Sequence, residues 1–411
     1  MDGSVGSESR CTQPSTSACS AASRGKSTAR IDDCVGGPAL RILALNWRDR
    51  TDPWHGGAEV QLHEILRRLV ARGHEVTWIA CRYEDCLAEE VAADGIRYRR
   101  GGDWHFANFA LPRLMREELR RRPYDVVLED INKIPFYAPL HTRLPVLVMI
   151  PHLFGRTIYR ETNPLAASYV LAWEWPIPWI YRHCLFSVAS ASTASDVRRR
   201  GIPAAQIEVV HNGMEHECYQ LDTPPPRAEH PTLVHLGRLR KYKSVDVAVR
   251  AFPRVRAVHP DAKLVIIGDG PEEQNLRQLA RHLGVADSVD FRGYLSREEI
   301  VDQLYRSHVL LNPSPKEGWG LTVIEANECG TPVVASRRPG LVDSVRDGET
   351  GFLAEYGDAE DFAEKTLALL GDPPLWRLCS DNAVRWARGF SWDEAAEKTE
   401  TLLVRSVESR R

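Results

Sequence analysis

The stretch NPSPKEGWGLTVIEANECGTPVVAS, residues 312–336, decides how this chain folds. It opens at the end of an apolar run, VLLNPS, crosses a loop containing Gly318 and Gly320, and enters a helical stretch at Leu321. It leaves through TPVVAS, whose β-branched residues read as a strand. Strand, loop, helix and strand make a βαβ unit, and such units build parallel sheets. Two carboxylates mark this unit: Glu317 precedes the glycines and Glu325 follows eight residues later. A helix starting near Leu321 leaves Glu317 in the loop and puts Glu325 in the first turn. Both then border a helix N-terminus whose free N–H groups can hold a diphosphate. A carboxylate there can accept hydrogen bonds from sugar or ribose hydroxyls. On spacing alone, two surface glutamates favouring a helix N-terminus fit equally well.

The same alternation extends outward on both sides. Towards the N-terminus it runs through TLVHLGRL, SVDVAVRAFPRVRAV, AKLVIIGDG, EEQNLRQLARHLG, SVDFRG and REEIVDQLYRS, strands and helices in turn. Before it lies QLDTPPPRAEHP, a proline-rich stretch that neither a helix interior nor a central strand tolerates, and which reads as a linker. Upstream a second series begins with RILALNW, followed by a helix from Gly57 to Arg72, then HEVTWIA, LPRLMREELRRR, YDVVLED and VLVMI. The expected organisation is α/β, with two doubly wound, Rossmann-like parallel-sheet domains facing across a cleft. The boundaries read as a disordered tail over 1–38, an N-terminal domain over 39–218 and a linker over 219–230. A C-terminal domain follows over 231–390, and a closing helix over 391–411.

Composition excludes several classes of function. The chain has 411 residues, 43% hydrophobic and 27% charged, with a net charge of −3, which gives no reason to expect a nucleic-acid partner. Its nine cysteines form no C-x-x-C pair, and no histidines stand at metal spacing, so reduced thiols in the cytoplasm are expected, with no disulfide frame and no metal site. No apolar run reaches the length of a spanning helix. The Ser/Gly/Thr-rich first 38 residues lack the apolar core of a secretory signal.

The residues with chemistry to offer fall at predicted strand ends, which share one face of each sheet. In HGGAEVQLHEIL, residues 55–66, two glycines stand where strand gives way to helix. Such a pair lets backbone N–H groups crowd an anion, although a tight turn explains it too. In LGRLRKYKS, Arg238 and Lys243 follow a strand and can offset charge on a leaving phosphate; a solvated basic loop is the plain alternative. His152, in VLVMIPHLFG, can orient or polarise a substrate hydroxyl, or be merely structural.

Taken in order, these motifs resemble those of the GT-B glycosyltransferases of the large retaining family four, over residues of roughly 40 to 400. GRLRKYKS is similar to that family's G-R-L-x-x-x-K element, IIGDGPE to its G-x-G-P turn, and EGWGLTVIEANECGTPVVAS to its E-x-seven-E signature. HNGME resembles its asparagine-glycine loop, and GGAE its first glycine loop. The resemblance implies that Gly57 approaches the diphosphate of a nucleotide-sugar donor, and that Arg238 and Lys243 bind its phosphates. It further implies that Glu317 contacts the transferred sugar, the amides of Gly320 and Leu321 hold sugar and phosphate, and Glu325 binds ribose. His152 matches the active-site histidine. The implied chemistry is transfer of a hexose-type sugar to a hydroxyl acceptor by front-face attack, with no protein nucleophile, metal or cofactor beyond the donor. GDG at 268–270 lacks G-x-G-x-x-G spacing and reads as a structural turn.

The acceptor implied is a small metabolite or natural product. A lipid-linked glycan would need a membrane surface, which Arg113, Arg116, Arg120, Arg121 and Arg122 could meet. Glu117 and Glu118 interrupt that basic run, so a solvated helix is the expectation there. WEWPIPWIY, residues 173–181, is dense in tryptophan and reads chiefly as core or interface, with a role in acceptor choice as the alternative. A sugar-nucleotide epimerase, a phosphorylase, or an inactive sugar-nucleotide-binding partner of a transferase are the competing readings. Oligomeric state leaves no trace in the sequence.

Overall fold

Alternating strands and amphipathic helices are what a chain needs to bury a sheet on both faces, and each half of this protein does so. The computed structural model describes residues 38–160 and 162–410. The expected disordered tail, Pro38 apart, lies outside the described residues. In the first half come β1 (Arg41–Leu45), α1 (Gly57–Ala71), β2 (Glu75–Ala80), β3 (Glu89–Val91), β4 (Arg97–Arg100) and α2 (Ala107–Arg121). They are followed by β5 (Val126–Asp130), β6 (Val146–Ile150), α3 (Pro164–Glu174), α4 (Ile177–Ile180), β7 (Leu185–Val188), α5 (Ala191–Arg199) and β8 (Ile207–Val209). The second half opens with β9 (Thr232–Leu236), α6 (Val245–Val258), β10 (Lys263–Ile267), α7 (Glu273–His282), β11 (Val289–Gly293) and α8 (Arg297–Arg306). It continues through β12 (Val309–Asn312), α9 (Leu321–Glu328), β13 (Val333–Ser336), α10 (Leu341–Ser344) and β14 (Gly351–Ala354). Three helices finish it: α11 (Ala359–Gly371), α12 (Pro373–Ala387) and α13 (Trp392–Glu408).

The first sheet runs β3-β4-β2-β1-β5-β6-β7-β8 and the second β11-β10-β9-β12-β13-β14. All neighbours are parallel except β3, which pairs antiparallel with β4 at the edge. Strand order reverses between β1 and β5 in the first sheet and between β9 and β12 in the second. Crevices open at the carboxyl ends of such strands. The central strands are mainly apolar, as burial on both faces requires: Leu43 to Leu45, Val126 to Leu128 and Leu264 to Ile267 are buried.

One helix ties the halves together, and one side chain pins the linker to the second half. Helix α13 returns to the first half: Trp392, Ala395, Leu402 and Leu403 pack with Ile65, Leu69 and Trp78 in one core. The proline-rich stretch is pinned by Arg227. Its guanidinium donates to the carbonyls of Leu304 (3.0 Å), Ser307 (2.6 Å), Cys329 (2.9 Å) and Gly330 (2.5 Å), and to Thr331 Oγ1 (2.7 Å). Burial pushes this arginine down to about 10, because neutral carbonyls replace water less completely than a carboxylate would.

Candidate active site

Every loop named in the sequence reading leaves the carboxyl end of a strand, and four of them meet. The first follows β1 and ends at Gly56 and Gly57. Glu59 fixes its exit: its Oε2 accepts the Gly56 N–H at 2.6 Å and its Oε1 accepts from Asn132 Nδ2 at 2.6 Å. Gly57 is the first residue of α1, and a methyl added there would lie 3.4 Å from Leu321 Cδ1, in the other half of the chain. The second loop follows β9. Arg238 reaches back across the cleft and donates through Nη2 to the carbonyls of His55 and of Trp54, the latter at 3.2 Å.

The third loop follows β12 and carries Glu317. Lys243 Nζ donates to Glu317 Oε1 at 2.6 Å, with the two side chains 19% and 17% exposed. Burial opposes both charges, yet each charge holds the other: the Glu317 carboxyl sits below its ordinary range and the Lys243 ammonium above its own. The fourth loop follows β6. Gly318 packs so close to it that an added methyl would come 2.8 Å from the Pro151 carbonyl oxygen and 3.7 Å from His152 Nδ1. Only glycine allows this approach. Gly320 then takes φ of 90°, in the left-handed region, and starts α9.

Burial and neighbouring charges set the charge states at the junction. His152 is pushed down to about 4, first by burial and then by the Lys316 charge, so its imidazole is neutral at physiological pH. Arg48 is held below its ordinary value by burial, and the Arg238 and Arg240 charges add to that effect against Asp52 and Glu59.

Glu325 keeps different company. It is the fifth residue of α9, just past the first turn in which it was expected. It accepts the Tyr219 hydroxyl at 2.8 Å, and burial raises its carboxyl above the ordinary range while the Arg297 charge opposes that rise. The structure therefore gathers Gly57, Arg238, Lys243, Glu317, Gly320, Leu321 and His152 at the mouth where the sheets face. Glu325 lies along α9 beside the linker.

Several partners at this junction escaped the sequence reading. Tyr219 orients Glu325. Lys316 donates to Asp196 at 2.7 Å, and the Ser192 N–H to Asp343 at 3.2 Å, and both contacts join the two halves beside the Glu317 loop. These residues lie far apart in sequence and are of ordinary type, so no spacing signals them.

Comparison with known proteins bears on the family and the fold. The family described as glycosyltransferase family 4 matches residues 55–217, and the one described as glycosyl transferases group 1 matches residues 222–386. D-inositol 3-phosphate glycosyltransferase 2 of Catenulispora acidiphila is 32% identical over 234 residues, 52% of this chain and 54% of that protein. The chain thus spans about half the length of the curated relatives it matches. Among solved structures, sucrose-phosphate synthase from Thermosynechococcus elongatus superposes with a TM-score of 0.74 at 20% identity, covering 88% of this chain and 98% of that one. HepE from Anabaena, in complex with UDP and glucose, superposes with a TM-score of 0.67 at 19% identity, covering 88% and 99%. Two facing parallel sheets, loops that converge from four strand ends, and family matches to both halves place the chain in family four of the GT-B glycosyltransferases.

Proposed function

We propose that this glycosyltransferase moves a hexose-type sugar from a nucleotide-sugar donor to a hydroxyl acceptor with retention of anomeric configuration, on the cytoplasmic side of the cell. The observation that carries the reading is the Lys243–Glu317 pair, set between the start of α9 and the glycine turn before α1, with Arg238 closing the gap. The donor diphosphate lies against Gly57, Arg238, Lys243 and the amides of Gly320 and Leu321, where opposed cations and a helix N-terminus welcome negative charge. Glu317 accepts from hydroxyls of the transferred sugar while Lys243 keeps it ionised. Glu325, oriented by Tyr219, accepts from the ribose. Neutral His152 donates to or accepts from the sugar without adding charge.

As the glycosidic bond to phosphate breaks, negative charge grows on the leaving diphosphate, and Lys243 and Arg238 stabilise it there. The acceptor hydroxyl attacks from the same face and gives its proton to the departing phosphate. No cofactor beyond the donor takes part. The UDP bound by HepE supports a uridine donor as the first to try.

The test is to incubate the full chain with UDP-glucose and a panel of polyol and phenolic acceptors, and to follow UDP release and the anomeric proton by NMR. The expected product is an α-glucoside with one UDP released per transfer. A β-linked product would overturn retention. UDP-sugar turnover unchanged in Glu317→Gln would overturn the site.

A further inference from the structure

The surface of the N-terminal half carries a feature that donor chemistry does not use. From Pro164 to Tyr181 the one charged residue is Glu174. It is turned inward, where it accepts the Phe154 N–H at 2.8 Å and pairs with Arg200 at 2.8 Å. What remains outside is an uncharged stripe at helical spacing: Leu165 is 85% exposed, Trp175 70% and Trp179 58%, with Tyr169 beside them. Helix α2 adds a second stripe. Phe106 and Phe109 are exposed at its N-terminal end, and Arg113, Arg116 and Arg120 continue the same outward line. Ring contacts join the two stripes, Phe109 to Trp173 at 5.7 Å and Trp173 to Tyr169 at 5.9 Å.

Of the two acidic residues expected to interrupt the basic run, Glu118 is turned inward, whereas Glu117 stays half-exposed and accepts from Arg113 Nε at 3.1 Å. Glu118 is buried, paired with Arg99 and accepting from Tyr124 Oη at 2.8 Å, and Glu117 leans towards Arg99 and Arg113. The outer face of α2 is therefore aromatic at one end, and beyond the Arg113–Glu117 pair Arg116 and Arg120 leave it net cationic.

We propose that α2, α3 and α4 form a docking surface for an anionic lipid bilayer. Tryptophan and tyrosine seat in the interfacial layer, where one end of the ring is apolar and the other wet. The arginines complement acidic headgroups, and the two signals together give stable but reversible attachment. A second copy of the chain fits less well, because a twofold contact centred on the arginines would set like charges against one another. No helix among the described residues is long and apolar enough to cross a membrane, so the association is peripheral. Beneath α3, Phe154 and Ile134 pack with Ile158, Ala167 and Val170, and the Phe154 ring meets that of His152 at 4.9 Å. Docking thus sets the membrane against the layer that packs on the His152 loop. The surface claim goes beyond the sugar-transfer reading and shares no readout with its tests.

Co-sedimentation of the full chain with vesicles of neutral phosphatidylcholine, with and without 30% phosphatidylglycerol, about the share of acidic lipid that gives a useful surface potential, tests it. Binding is expected to the acidic vesicles, with a fall of at least about tenfold in 0.5 M salt. Arg113→Gln/Arg116→Gln/Arg120→Gln and Trp175→Ser/Trp179→Ser should each lose about tenfold or more while melting within a few degrees of wild type. Absence of binding at low salt, or binding that both variants retain, overturns the proposal. A dimer that the tryptophan variant dissociates, with no vesicle binding, overturns it in favour of a second copy.

Discussion

At the residue scale the account turns on charges held where burial opposes them. Lys243 and Glu317 keep each other ionised in a largely buried pair. Removing the lysine therefore takes a cation from the leaving group and also leaves a carboxylate without its partner. We expect Lys243→Ala to lower turnover on the order of 10²–10³-fold, as loss of one transition-state stabilising group does, with a smaller change in UDP affinity measured by calorimetry. Equal losses in both would mean that the lysine serves binding alone. His152 yields a second expectation. Its folded-state value near 4 lies below the ordinary 6.5, so the unfolded chain binds the extra proton first. The contribution of His152 to stability is then complete above pH 6.5 and declines as pH falls towards 4. Turnover governed by this residue should show no inflection between pH 6 and 8. An NMR titration placing the His152 imidazole near 6.5 would contradict the burial argument.

At the element scale, function depends on how tightly the β12–α9 loop lies against the β6 loop. Gly318 has no room for a methyl beside the Pro151 carbonyl. Gly318→Ala should push the Glu317 loop away from His152 and cut donor turnover about tenfold or more, as misplacement by a fraction of an ångström does. Gly371→Ala, where a methyl meets nothing within 4 Å, serves as the control and should keep wild-type turnover. This scale also shows what the sequence made legible. The βαβ alternation was readable because period-2 and period-3.6 patterns survive in single segments, and strand ends locate loops without further information. The three-residue edge strand β3, EEV, was not readable, since so short and polar a run carries no period. Nor was the return of α13 to the first half: amphipathicity says that one face is buried, not against which sheet. Trp175 and Trp179 were visible as tryptophans, but their exposure depends on where α3 and α4 sit. Tyr219 and Asp196 became visible only when folding brought them to Glu325 and Lys316.

At the scale of the whole molecule, the linker is held to the second half chiefly by one side chain. Arg227 anchors the linker through four carbonyls and one hydroxyl with no carboxylate to share its charge. Replacing it by alanine leaves those acceptors unsatisfied, and we expect a loss of about 3 kcal/mol, read as a fall in Tm of several degrees by calorimetry. An unchanged Tm would mean that the linker is held by other contacts. The central claim is that the junction of the two halves is a nucleotide-sugar site, with the Tyr219-oriented Glu325 holding the ribose. It is tested most directly by a thermal-shift panel of nucleoside diphosphates and nucleotide sugars on wild type and Glu325→Ala, since a ligand bound only by the folded state raises its melting temperature. The account predicts that one donor stabilises wild type by several degrees and the variant by much less. A panel that shifts neither protein, or shifts both equally, would contradict it.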